Sequence, residues 1–308
     1  MTHVVTLLVI LFLLLASCGR NPANKSTPPP PDLSRKYQFY LSELESHKDS
    51  YGFVTPKGDS LLFTCLANFA GSTADYTKAL VDGRPIRHPE ITSADSSTPI
   101  SKDMMMGVMY CAYSARDSGF VSSIREYGEK NNWDLCPDNI GFDNIPVEDR
   151  IGRCIMSPEV VYELAVMSGY LVSDIKPGLN FLDYVINYKD LRGFEAHLLV
   201  LRVGLVGLMR GYLTDRELAI VEFHSSRQPR NALYSAIYHK FSDGVQTSTE
   251  AILRDSNLFP NEALPASANR CTDYLWQRED EARDWAPCDS NKGHNGVDFI
   301  VAYRWMMI

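Results

Sequence analysis

Positive charge is scarce in this sequence: 30 Lys and Arg stand against 38 Asp and Glu, for a formal net charge of −8. Duplex affinity comes from basic side chains neutralising phosphates, so a nucleic-acid partner is not expected. Catalytic signatures are missing as well. There is no HExxH, no GxSxG, no GxxxxGK[ST] and no GxGxxG following a strand, which leaves no metalloprotease, serine hydrolase, P-loop or dinucleotide reading and no expected cofactor. No CxxC and no Cys/His cluster has zinc-ligand spacing. The acidic stretch Asp138 to Asp149 is not an EF-hand, because Ile140 and Phe142 stand where oxygen ligands are needed. No metal is therefore expected. Alternating β-patterns are rare too, with Cys154-Ile155-Met156 the one short extended candidate. A cysteine hydrolase is disfavoured if the thiols are oxidised.

What the chain does have begins at its amino end. Val4 to Ala16 reads VVTLLVILFLLLA, too short for a membrane span of ~20 residues but the right length for a signal-peptide core. The preceding Met1-Thr2-His3 lacks Lys and Arg, and an uncleaved amino-terminal anchor is the competing reading. Leu15-Ala16-Ser17-Cys18-Gly19 follows, and it resembles the lipobox of bacterial lipoproteins. That resemblance implies cleavage before Cys18, acylation of its thiol and attachment to a lipid bilayer. It places the chain in the cell envelope, and Gly19 after the cysteine implies the outer membrane if the cell is Gram-negative. Gly19 to Asp32, with Pro28 to Pro31, reads as an extended tether, either a spacer of set length or a plain linker. The expected organisation is a signal peptide over 1–17, acylated Cys18 and tether over 18–32, and a helical domain over 33–308.

Seven cysteines are present. Removing Cys18 leaves an even set, which in an oxidising compartment is compatible with disulfides of undetermined connectivity. Cys136 with Cys154 and Cys271 with Cys288 would close loops in Pro- and Asp-rich stretches that lack strong periodicity. Cys65 and Cys111 lie in apolar helical patterns, either as a third pair or as buried thiols.

Helical periodicity dominates the rest. Helices are expected over Leu33–His47, Asp59–Ala70, Thr73–Leu80, Lys102–Ala115 with Ser101 as cap, and Gly119–Asn131. Further ones are expected over Pro158–Ser168, Phe194–Tyr212, Thr214–Ser225, Asn231–Phe241, Gln246–Asp255, and from Gly296 to the end. HLLVLRVGLVGLMRGYL from His197 is interrupted by Arg202 and Arg210 and reads as a buried helix rather than a span. Apolar helices alternate with shorter, more charged ones. Helices apolar all round must be covered on all sides, which predicts a mostly α fold of helical hairpins, inner helices shielded by outer ones, in an α/α toroid-like domain.

Three apolar helices open on an aspartate: Asp59 in GDSLLF, Asp103 in SKDMMMG and Asp298 in NGVDF. Taken singly, each complements a helix macrodipole. Taken together, they would meet at one rim of a toroid, where clustered carboxylates split their pKa values and serve as acid and base. The pattern GDSLLF, STPISKDMMMG, the small-residue helix after His197 and NGVDF is similar to the six-hairpin glycosidase-like proteins across roughly residues 50–308. The same segments resemble stretches of phage and bacterial proteins without an assigned substrate. The resemblance implies a carbohydrate-facing cleft with Asp59, Asp103 and Asp298 as candidate catalytic residues. Candidate ligand contacts are Arg87 and His88 in the turn-rich GRPIRHP, His197, and the aromatic faces of Trp133 and Trp285. The expected function is an envelope lipoprotein that binds a glycan or an envelope protein through an acidic cleft without catalysis. The alternative is a glycoside hydrolase-like enzyme using an Asp pair on a polysaccharide.

Overall fold

The alternation of apolar and amphipathic segments folds into helices packed on helices. The computed structural model describes residues 31–54, 59–91, 100–135, 156, 188–191, 193–243, 248–263 and 296–308. Among the described residues the α-helices are α1 (Pro31–Ser46), α2 (Ser60–Phe69), α3 (Lys102–Ala115), α4 (Ser118–Lys130), α5 (Gly193–Arg210), α6 (Asp215–Arg227), α7 (Ala232–Phe241), α8 (Thr249–Arg254) and α9 (Val297–Met307). Short 3-10 turns at Tyr76–Ala79 and Tyr188–Asp190 and one two-stranded hairpin complete the described elements. Among those residues no helix is long and apolar enough to cross a membrane. In α5 the central residues from Ala196 to Val206 are buried in protein.

The helix starts follow from local chemistry. Ser101 accepts from the Met104 amide, Asp117 from Phe120 and Asn231 from Tyr234. Thr214 and Glu217 form a reciprocal capping box at α6. The expected helix over Thr73–Leu80 is a single 3-10 turn that runs into a strand. Leu80–Val81 (β1) pairs antiparallel with Arg84–Pro85 (β2). The connecting Asp82 and Gly83 both have positive φ, 52° and 86°, the conformation that a tight two-residue hairpin requires.

Five helices form the buried layer, and they run parallel. Gly107 of α3 lies against Leu62 of α2, and further along Cys65 is disulfide-bonded to Cys111. Tyr110 donates through its hydroxyl to the Leu201 carbonyl of α5 at 2.8 Å. Along α5 and α7, His197 meets Tyr234, Gly204 meets Ile237 and Gly207 meets Phe241. Phe241 of α7 meets Trp305 of α9, and Phe69 near the end of α2 meets the same indole at 5.8 Å. Early residues of one helix pair with early residues of the next, and late with late. The circuit α2–α3–α5–α7–α9 returns to α2. Trp305, 1 % exposed, fills its middle.

The amphipathic helices cover this layer. In α1, Ser34 and Tyr37 reach Tyr303 while Tyr40 stacks on Phe299 at 4.3 Å, so α1 runs antiparallel to α9. Lys36 is buried but donates to the Leu253 carbonyl at 2.7 Å and lies over the Phe299 ring. Desolvation lowers its pKa. Helix α4 leans on α3 and the hairpin, α6 on α5 and α7, and α8 on α7 and α9.

Of the two readings open for Cys65 and Cys111, the structure has the disulfide, buried between α2 and α3. It closes a loop with a sequence separation of 46. On chain-entropy grounds such a crosslink contributes about 4 kcal/mol by restricting the unfolded state. Beside it the backbones touch: a Cβ at Gly107 would stand 2.6 Å from the Leu62 Cα. Gly107→Ala is therefore expected to lower the thermal midpoint, at a cost of roughly 1–3 kcal/mol from overpacking despite alanine's better helix propensity. A midpoint that rises in a melting experiment would show that the two helices do not approach this closely.

Candidate functional site

Parallel inner helices bring their amino ends to one side of the molecule. Asp59 precedes α2, while Asp103 and Asp298 lie in the first turns of α3 and α9, so the three aspartates share that side. Their surroundings differ. Asp59 sits at the N-cap position but makes no capping bond with its side chain. Its Oδ1 accepts instead from Arg87 Nη1 at 3.3 Å, and the Leu61 amide donates to the Arg87 carbonyl at 3.1 Å. The Asp59 side chain is 41 % exposed. Burial of its surroundings raises the carboxyl above the ordinary aspartate value, and the adjacent Arg87 charge opposes that only in part. Asp103 is intermediate in exposure, and Ser101 rather than Asp103 caps its helix.

Asp298 is enclosed. It is 1 % exposed, and its Oδ1 lies 3.7 Å from Nε2 of His197, itself 0 % exposed. That separation is too long for a direct hydrogen bond. The His197 ring leans on Tyr234 at 5.4 Å, and Tyr234 meets His224 at 6.2 Å, so a band of buried polar rings runs inward from Asp298. Asn231, Gln228, Ser235 and Thr249 extend it, with Asn231 donating to Gln228 at 3.0 Å and the two hydroxyls 2.9 Å apart. His224 and Tyr234 were not among the residues expected from sequence. Their signal was a polar group on the buried face of an apolar helix, which periodicity reads as core.

Arg87 and His88 adjoin in sequence and part in space. Arg87 turns to Asp59. His88, 1 % exposed, turns inward, its Nε2 2.5 Å from Asp49 Oδ2 and its Nδ1 accepting from the Glu90 amide at 3.1 Å. With Nδ1 an acceptor, Nε2 carries the proton toward Asp49. Tyr51 and Phe53 flank the ring edge-on. Desolvation pushes the Asp49 carboxyl up, but the Phe53 and Tyr51 amides and His88 outweigh it and hold the pKa low. The pair ties the segment carrying Arg87 to the loop after α1, and so sets where the guanidinium stands.

Trp133, half-buried with φ of 62°, lies with its ring against Gly128, on the far end of α4. Trp285, Cys18, Cys136, Cys154, Cys271 and Cys288 lie outside the described residues, as does the helix expected over Pro158–Ser168. Among the described residues no group of His, Cys, Asp or Glu is arranged to hold a metal ion. No family model matches the chain, and no curated protein or solved structure matches it either.

The raised Asp59 carboxyl has a thermodynamic consequence. A carboxyl whose folded pKa lies above its unfolded value contributes stability that is fully present below the unfolded pKa and lost as pH rises through the folded pKa. At neutral pH the ionised, desolvated group opposes folding even with Arg87 beside it. Asp59→Asn is expected to melt no lower than the parent at pH 7, with the difference shrinking near pH 3, where the parent's Asp59 is neutral as well. Melting curves at the two pH values check this, and a clear loss of stability at pH 7 would contradict it.

Proposed function

We propose that this chain is an exported lipoprotein, acylated at Cys18 and held to the membrane by its Pro-rich tether. Its α/α toroid-like domain binds a glycan or envelope protein at the amino ends of the inner helices, without catalysis. The observation that carries this reading is the single rim on which the parallel helices begin, with the Asp59–Arg87 pair at its surface. A carboxylate accepts two sugar hydroxyls and a guanidinium donates to ring and hydroxyl oxygens, so the pair supplies both halves of polar sugar recognition. The toroid itself draws support from the parallel inner circuit and the antiparallel α1 laid against it.

Binding is favoured over cleavage by the state of the carboxylates. Glycosidic hydrolysis needs two carboxyl groups that reach one bond from opposite sides. Asp298 is closed off by burial against His197. The second reading, hydrolysis, draws on Asp59 alone: a carboxyl raised by burial is the form a general acid requires, and Asp103 would then act as base.

One preparation separates the two readings. The full chain, solubilised in detergent, is incubated with insoluble peptidoglycan and with a panel of polysaccharides, and both retention and newly formed reducing ends are measured. The binding reading predicts retention without product, weakened about tenfold or more by Asp59→Asn or Arg87→Gln, as expected for loss of a charge-assisted contact. Product formation abolished by Asp59→Asn establishes the hydrolytic reading instead. Failure to retain any glycan leaves an envelope protein as the partner. The anchor is tested apart from the cleft: Cys18→Ser is expected to abolish incorporation of labelled palmitate and to release the chain from the membrane fraction. Undiminished labelling would contradict the lipobox.

A further inference from the structure

The Cys65–Cys111 disulfide lies where no reagent can reach it once the chain has folded. Both residues are 0 % exposed, on the parallel helices α2 and α3. Their neighbours along the two helices, among them Leu62, Leu66, Val108 and Met109, are buried as well. At Gly107 the backbones approach so closely that a Cβ would stand 2.6 Å from the Leu62 Cα. A cleft of ≈ 460 Å³ opens beside Cys111, but the residue adds no exposed surface to it, and Asn68 Nδ2 lies 3.8 Å from its Sγ. Disulfides form and break by attack of a thiolate on a sulfur, through a mixed disulfide. With neither sulfur at the surface, that exchange is confined to the chain before α2 and α3 close, or to openings of the pair.

The order of the cysteines along the chain is a second observation. Cys65 and Cys111 are the first two after Cys18, and Cys136, Cys154, Cys271 and Cys288 all follow them. With Cys18 acylated, a chain exported amino end first presents these two as its first free thiols. The native bond therefore arises from joining consecutive cysteines in order of emergence, with no wrong bond to undo. Their sequence separation of 46 does not hinder this, because the entropy of closing a loop grows only slowly with its length.

We propose that the unfolded chain is a substrate of an envelope thiol oxidant, a protein carrying a reactive disulfide, and that this bond needs no disulfide isomerase. The thiolate of one cysteine attacks the oxidant's disulfide, forming a mixed disulfide and releasing one oxidant thiol. The thiolate of the other then attacks the chain's own sulfur in that mixed disulfide, forming Cys65–Cys111 and releasing the second oxidant thiol. The chain gives up two electrons and two protons, and the oxidant's disulfide is reduced to a dithiol. Closure of the α2–α3 contact then shuts the bond off from further exchange. The proposal rests on the export reading above and is independent of glycan binding.

The test uses the full chain in two measurements. Purified in detergent, it is treated with dithiothreitol with and without guanidinium, and free thiols at Cys65 and Cys111 are followed by alkylation and peptide mapping. Reduction of the folded chain is expected to be slower by about a hundredfold or more, because exchange waits for an opening of the helix pair. Equal rates would overturn the proposal, since a bond that is accessible in the folded chain can also form there. In the second measurement the chain is produced in bacterial hosts with and without their envelope thiol oxidant, and with and without their disulfide isomerase, and is labelled with palmitate in the same cells. Loss of the oxidant should lower the linked fraction about tenfold or more, and loss of the isomerase should leave it unchanged. Undiminished linkage without the oxidant, or linkage that falls without the isomerase, would overturn the proposal. Free thiols in a palmitate-labelled chain from the parent host overturn it alone, whereas free thiols in an unlabelled chain overturn it together with export.

Discussion

Leu62 and Gly107 bring the backbones of α2 and α3 into contact, and the Cys65–Cys111 disulfide locks them at that register. The rest of the architecture depends on this parallel contact. Consecutive helices joined by short turns run antiparallel by necessity, so two parallel neighbours require the chain to leave the layer and return between them. The segment after α2 does this through its 3-10 turn and the β1–β2 hairpin before α3 begins. The same demand recurs between α5 and α7, where α6 makes the return and its capping box stops the chain close to the end of α5. Covering helices are thus a consequence of parallel inner ones, and their amphipathic character follows from having one side on the layer and one in water.

Parallel packing also makes the two sides of the layer electrically unlike. Aligned peptide dipoles sum toward positive at the amino ends and negative at the carboxyl ends. Aspartates at 59, 103 and 298 gather at the first side, and arginines at 116 and 304 at the second, each opposite in sign to the local dipole. At Asp59 this complementarity is outweighed by the desolvation of the carboxylate, which opposes folding at neutral pH. On the first side, burial divides the aspartates: Asp298 joins His197 and a band of polar rings inside the protein, whereas Asp59 stays within reach of solvent beside Arg87.

Much of the helical layout was legible in sequence because its signals are local. Ser101, Thr214 and Asn231 announce helix starts through side chains that reach amides a few residues away, and the apolar segments after them mark the inner layer. The hairpin was missed although Asp82-Gly83 carries its turn signature, because each flanking strand is only two residues long and leaves no alternation to detect. The partners of the candidate residues were not legible. Nothing near His88 in the chain indicates Asp49, and nothing near His197 indicates Asp298 or Tyr234. Such pairings are made by the return of distant segments and carry no periodic trace.

Non-reducing peptide mapping by mass spectrometry tests the parallel α2–α3 contact most directly. Each cysteine lies roughly two turns after the aspartate that opens its helix, so a bond between them, together with the earlier contact of Gly107 on Leu62, keeps both acidic starts on one side. The account predicts one linked species joining the peptides that contain Cys65 and Cys111, released by reduction. Free thiols at both positions, or either cysteine joined to a different partner, would contradict it.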